Sequence, residues 1–408
     1  MNFRGFLSVF GVLFLLVSLT TCTKKTEEKI TITWAVGKDA TGAQRDLIKQ
    51  FQKKYPDIEI KLMEMPESAT IQHDSYVTYL SAGDSSIDVY SIDIIWPSEF
   101  ASAGWVLPLD SYFTKDKQKE FLSGPIKGCT FKGKIYAVPW FTDAGILYYR
   151  KDILKKENLK PPETWQELIS QAKKIQDKYK IYGFVFQSRQ YEGLVCNFLE
   201  YVWSNGGKLT DGRAVEALKL IVDIIHKHKI VPEGITTYKE EESRQIFTSG
   251  NACFHRNWPY VWALAQDEKK GSMVVGKVGI SPLPHFPGGE SASCLGGWNL
   301  TISKFSKNPD SAWKFVDFMT SFESQKYYSI KGGRLPTRIA VYKDKEVLKT
   351  SPHYADMFKV FVTALPRPVT PNYSRISDIL QVEIHQALTL KKSPEEALKD
   401  AEKKIKHL

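Results

Sequence analysis

Ala137-Val138-Pro139-Trp140-Phe141-Thr142-Asp143-Ala144-Gly145-Ile146-Leu147-Tyr148-Tyr149-Arg150-Lys151-Asp152 is an apolar, aromatic run with one carboxylate near its centre and charges at its end. A continuous apolar run reads as a buried strand. A carboxylate inside it is costly unless hydrogen-bond donors meet it. Ala144 and Gly145 are small and tolerate a change of backbone direction. Two readings follow. Either Asp143 is a cap or salt-bridge partner in a plain strand, or the strand passes between two lobes. In the second case Asp143 faces a cleft and accepts bonds from a polar ligand.

The chain on either side favours two lobes. Ile30 to Val36 alternates like a strand and stops at Gly37. A helix with Leu47, Phe51 and Tyr55 on one face follows and ends at Pro56. Ile58 to Leu62 alternates again, so the chain opens as an α/β lobe with a parallel sheet. A helix runs through Tyr76 to Leu80. The strand Ile87 to Asp93 then places Asp93 at its carboxyl end, where ligands of open α/β sheets gather. Trp96 stands three residues further on. Phe131 to Tyr136 reads as a hairpin entering the central run. Beyond that run, Thr164 and Glu167 form a capping box before a helix. A strand at Tyr182 to Phe186, a helix opening at Tyr191 and an amphipathic stretch from Ala214 to His228 build a second α/β lobe.

Phe254 to Trp262 is dense in aromatics. Trp258 and Tyr260 flank Pro259, which breaks regular structure, and are hard to bury together. Leu295-Gly296-Gly297-Trp298 repeats the small-residue, aromatic, strand order and reads as the return to the first lobe. Gly332 to Arg338 is the last crossing. Ser393, Pro394 and Glu396 cap a terminal helix. The expected fold class is α/β, with two discontinuous lobes. Residues 30–142 and 297–336 form one; residues 143–296 and 337–408 form the other.

Residues 1–21 read as a signal segment. Arg4 supplies charge, and Phe6 to Leu19 is too short to span as an ordinary transmembrane helix. A small-residue stretch closed by Cys22 resembles a bacterial lipoprotein signal, which makes Cys22 the lipidated residue and residues 22–29 a polar tether. The alternative is a plain secretory peptide with an incidental cysteine. The formal net charge of +10 is spread over Lys-rich helix faces. It suits a protein held near an anionic membrane, and solvated helix surface explains it equally. Cys129, Cys196, Cys253 and Cys294 lack metal-ligand spacing and sit among apolar or small residues, as buried thiols do. Pairing among them stays open. Nothing in the chain calls for a cofactor, a metal or nucleic acid.

Taken together, Asp93-Ile94-Ile95-Trp96, Asp143-Ala144-Gly145, Arg256-Asn257-Trp258-Pro259-Tyr260, Gly296-Gly297-Trp298 and Pro366-Arg367-Pro368 make the chain resemble the extracellular solute-binding proteins of carbohydrate ABC importers. The resemblance is to the trehalose/maltose-binding group and covers essentially the whole mature chain. It implies a type II periplasmic-binding-protein-like fold with sugar held between the lobes. It also implies export, a membrane lipoprotein on the periplasmic or extracellular face, permease subunits as partners, a monomer, and no catalysis. By the same resemblance Asp93 and Asp143 accept bonds from sugar hydroxyls. Trp96, Trp258, Tyr260 and Trp298 stack on or wall the rings. Gly297 lets backbone approach, and Arg367 donates. Pyranose CH faces suit aromatic rings, and hydroxyls need fixed acceptors in a mostly apolar pocket. Phe141 stands where relatives carry Tyr, and Gln72-His73 where they carry Arg. The loop Lys38 to Gly42 reads as shorter than in relatives and as lacking the acidic residue expected there.

Three functions compete. A disaccharide importer subunit fits best. A subunit for a sugar phosphate or polyol is an alternative, but phosphate calls for convergent basic groups, and only Arg367 and His73 offer themselves. A glycoside hydrolase would also place two carboxylates about a sugar, with one kept protonated as the acid.

Overall fold

The computed structural model describes Met1, residues 29–361 and residues 364–408. Cys22 and nearly all of the signal and tether segments lie outside the described residues. Among the described residues no helix is long and apolar enough to cross a membrane.

Thirteen strands are described: β1 (Ile30–Gly37), β2 (Ile58–Met65), β3 (Val89–Asp93), the pair β4 (Thr130–Phe131) and β5 (Lys134–Ile135), β6 (Val138–Ala144), β7 (Ile146–Arg150), β8 (Tyr182–Val185), β9 (Ala252–Asn257), β10 (Val278–Ser281), β11 (Ser293–Ile302), β12 (Leu335–Pro336) and β13 (Ala364–Leu365). The larger sheet runs β12-β6-β11-β3-β1-β2, with β13 also on β11. The smaller runs β10-β7-β9-β8. β1 pairs in parallel with β2 and β3, as the alternating opening predicts. β6 and β11 run antiparallel, and β12 joins β6 in the same way. These three strands lie where the chain passes from one sheet to the other, in opposite senses.

The opening run is therefore two strands, one in each sheet, separated by Gly145 alone. A Cβ on Gly145 would overlap Glu200 Oε1 and Arg256 Nη2. Only glycine lets the chain cross beside that buried ion pair. Gly297, with φ of 140°, faces a similar limit: a Cβ would lie 2.7 Å from the Phe141 carbonyl oxygen.

Each sheet carries its own core. Trp34 meets Trp140 edge-on at 5.4 Å and Phe315 at 5.1 Å, so the helix Pro309–Met319 packs back on the larger sheet. In the smaller-sheet core Trp165 stacks on Tyr201 at 3.9 Å. The terminal helix Pro394–Ile405 buries Leu398 and Ala401 there, and its Ser393–Glu396 capping box is formed. The box expected at Thr164 is only half made. Thr164 Oγ1 accepts from the Glu167 N–H, but the Glu167 carboxylate reaches the N–H of Glu163, one residue earlier. Cys129, Cys196, Cys253 and Cys294 are buried free thiols.

Candidate functional site

A cavity of about 400 Å³ lies between the two sheets. β3 ends in it at Asp93, β6 brings Phe141 and Asp143, and β11 brings Gly297 and Trp298. The turn after β9 brings Trp258 and Tyr260, and the loop after β13 brings Arg367. Eight of the predicted ligand residues thus converge from distant parts of the chain.

Two do not. Trp96 and His73 lie outside this lining, which corrects their placement. Trp96 immediately precedes the helix Pro97–Ser102. That turn sends its indole into the core, where it supports Trp298 edge-on at 5.5 Å. His73, on the helix Ala69–Ser81, sits in a neighbouring crevice. Its Nε2 is 3.1 Å from Glu99 Oε2 and 3.2 Å from Ser374 Oγ. The loop reading is also corrected. Asp39 stands in it and lines the cavity. Its carboxylate accepts from the backbone N–H groups of Thr41 and Gln44, at 2.9 Å each.

Asp93 and Arg367, expected as separate contacts to a ligand, are bonded to each other. Arg367 Nη2 donates to Asp93 Oδ1 at 2.7 Å, and Nη1 donates to Glu192 Oε1 at 2.7 Å. Burial pushes the Asp93 carboxyl up; Arg367 pulls it down and Glu192 pushes it up again. Arg367 thus ties the end of β3 to the helix Glu192–Ser204. Ser374 donates to Glu99 at 2.6 Å and Lys239 meets Glu67 at 3.2 Å, adding polar contacts across the same gap.

Asp143 is almost wholly buried. Its Oδ2 is 3.4 Å from Arg334 Nη1, and its Oδ1 has no partner. Burial raises its carboxyl to about 7; Arg334 opposes this and Asp93 adds to it. The aromatic walls are held by polar groups at their edges. Trp258 Nε1 donates to Glu240 at 3.2 Å and Tyr260 Oη to Glu241 at 2.7 Å. The Arg256 guanidinium lies 4.2 Å from the Trp258 ring centroid and covers that ring.

Sequence reading missed Arg334, Glu192, Glu240 and Glu241, all lining residues. Arg334 stood in a stretch already singled out as a crossing. The three glutamates lay in helix-opening segments, where acidic residues are expected for reasons of the helix dipole. Eight acidic side chains line the cavity against three basic ones.

Two α/β bodies joined by crossing strands, with carboxylates and aromatic rings lining the cavity between them, define the two-lobed layout of a binding protein. The chain belongs to the bacterial extracellular solute-binding protein family, whose model matches residues 35–326. A probable ABC transporter-binding protein of Deinococcus radiodurans is 38% identical over 84% of this chain and 85% of its own length. Among solved structures, maltose-bound MalE3 of T. maritima is 44% identical, with a TM-score of 0.89, covering 93% of this chain and 100% of that one. A solute-binding protein of Thermotoga lettingae bound with alpha-D-tagatose is 28% identical, with a TM-score of 0.84, covering 93% and 99%. The fold is that of type II periplasmic sugar-binding proteins. Family and fold are those of substrate-binding proteins of ABC transporters, not of enzymes.

Proposed function

We propose that the protein captures a short, neutral sugar, a disaccharide such as trehalose or maltose, and hands it to the permease of an ABC importer. The observation that carries this reading is the unpartnered Asp143 Oδ1, buried in a cleft walled by Trp258 and Trp298. A buried acceptor without a donor is costly, and a sugar hydroxyl supplies that donor. The excess of acidic over basic lining argues against a sugar phosphate, which would meet mostly like charge. The bound maltose of the T. maritima relative supports a disaccharide. Thermal shift of the mature protein against a panel of sugars and sugar phosphates tests it. A rise in melting temperature with maltose or trehalose is expected. Stabilisation by phosphates alone would overturn it.

The lobes proposed above, residues 30–142 with 297–336 and residues 143–296 with 337–408, close about crossings near Asp143, Gly297 and Pro336. Sugar contacts both lobes only when they are closed, so it shifts the equilibrium toward closure. Small-angle scattering is expected to show compaction on adding saturating sugar. An unchanged profile speaks against a hinge.

Anchoring is assigned to Cys22, which closes the small-residue stretch of a lipoprotein-like signal segment. Cys22→Ser is expected to stall processing or release the protein. If membrane fractionation of that variant matches the parent, the lipid reading fails.

A further inference from the structure

Arg334 occupies the space that Phe141 and Tyr260 would offer to a sugar ring. Its guanidinium carbon lies 4.7 Å from each ring centroid. A planar cation between two aromatic faces is well placed and not easily displaced. Those two faces are therefore taken by protein, whereas Trp298 remains half-buried at the cavity wall.

The backbone holds Arg334 in this position. The helix Phe322–Gly332 ends at Gly333, whose φ of 62° is left-handed and suits glycine. The Arg334 carbonyl accepts from Tyr354 Oη at 3.3 Å. Leu335 and Pro336 then pair as β12 with Thr142 and Phe141; Phe141 gives the ring contact and Asp143, next after Thr142 in β6, the carboxylate contact. The side chain is thus fixed next to the strand that carries Asp143.

An ordinary structural ion pair does not account for it. Within the smaller-sheet lobe, Arg256 meets Glu200 through two nitrogens at 2.8 and 2.5 Å. Arg334 makes one 3.4 Å contact to Asp143, longer than charge-assisted bonds usually are. Its Nε is buried with no partner, and so is Asp143 Oδ1. Both residues line the cavity, and each keeps one buried polar atom without a partner, a donor on Arg334 and an acceptor on Asp143. A sugar hydroxyl is both donor and acceptor, so a terminal hydroxyl pair matches this arrangement.

We propose that Arg334 sets the length of the bound sugar. It closes the Phe141–Tyr260 end of the cleft by stacking where a further ring would stack, and with Asp143 it reads the terminal hydroxyls of a short chain. The proposal rests on the sugar-binding reading given above. Removing the guanidinium frees two aromatic faces and lengthens the cleft by a subsite.

Calorimetric titration of the full mature protein, Arg334→Ala and Arg334→Gln with glucose, maltose, trehalose, maltotriose and maltotetraose tests it. The parent is expected to bind a disaccharide more tightly than the trisaccharide by roughly tenfold or more, the scale of a clear steric rejection. In Arg334→Ala that ratio is expected to fall by roughly tenfold, with Arg334→Gln between the two. The ratio is read rather than the affinity, because a bracing role would weaken all sugars alike. If Arg334→Ala does not fold, Arg334→Gln reads the same ratio. An unchanged ratio overturns the proposal, as does a parent that takes trisaccharide as tightly as disaccharide. A parent that binds none of the sugars overturns the sugar reading itself, and the length proposal with it. That outcome is visible in the parent titration alone.

Discussion

Glu200→Ala is expected to destabilise the sugar-free protein by about 3–5 kcal/mol, the usual cost of stripping one partner from a buried ion pair. Glu200 and Arg256 are each about 1% exposed. Burial pushes the Glu200 carboxyl up, and the facing Arg256 opposes it. Besides its two bonds from Arg256, Glu200 accepts the Cys294 N–H at 3.0 Å. One carboxylate therefore joins the strand leading to Trp258, the start of β11, and the crossing at Gly145. Its removal leaves a guanidinium in the interior without the carboxylate bonded to it. Arg256 is also the platform beneath Trp258, so sugar affinity is expected to fall as well. Urea unfolding without sugar measures the first effect. A midpoint within about 0.5 kcal/mol of the parent, as for an ordinary surface change, would show that the pair is dispensable.

Much of this architecture is legible locally. β1 and β2 announce themselves by alternation, and the terminal helix by its Ser393 cap. Such signals lie within a few residues of each other. That the central run can change direction at Ala144-Gly145 is legible, but the requirement for glycine at 145 is not. It depends on Glu200 and Arg256, which come from 55 and 111 residues further along the chain. The same limit hid the Asp93–Arg367 bond, which joins residues 274 positions apart. Both were readable as charged residues in a cleft, but not as partners. Trp96 failed for a different reason. Its nearness to Asp93 suggested the cleft, while the helix that starts at Pro97 turns the indole away from it. Arg334 followed a glycine at the end of a helix, where a cation is expected for the helix dipole alone. Only the facing rings of Phe141 and Tyr260 distinguish it.

Asp143→Ala is expected to lose more sugar affinity than Trp258→Phe. A carboxylate accepting hydroxyls in a closed cleft makes charge-assisted bonds. Losing one leaves a sugar donor unpaired, at about 1.5–3 kcal/mol. That corresponds to a loss of roughly 10- to 150-fold. Phe at 258 keeps a ring face, so part of the stacking survives, and the change is expected to cost about 0.5–1.5 kcal/mol. The pH dependence separates the roles further. Burial holds the Asp143 carboxyl at about 7, well above the ordinary carboxylate range, with Arg334 and Arg256 pulling down and Asp93 pushing up. The sugar-free fold therefore keeps a proton that the unfolded chain has lost, so this group's contribution to stability is fully present below 3.8 and disappears as pH rises to about 7. Hydroxyl donors prefer the ionised form. Affinity is accordingly expected to be level above pH 7 and to fall below it, by at most roughly tenfold per unit. In Asp143→Ala that component disappears. If Asp143 only braces the crossing, the variant instead melts lower without sugar and keeps its affinity. Titration of both variants across pH 5 to 8 (roughly the range over which such a carboxyl changes state), beside their sugar-free melting curves, decides between these outcomes. A loss at Asp143 equal to or smaller than that at Trp258 would place the polar centre of the site elsewhere, with Asp93 and Arg367 the first pair to test.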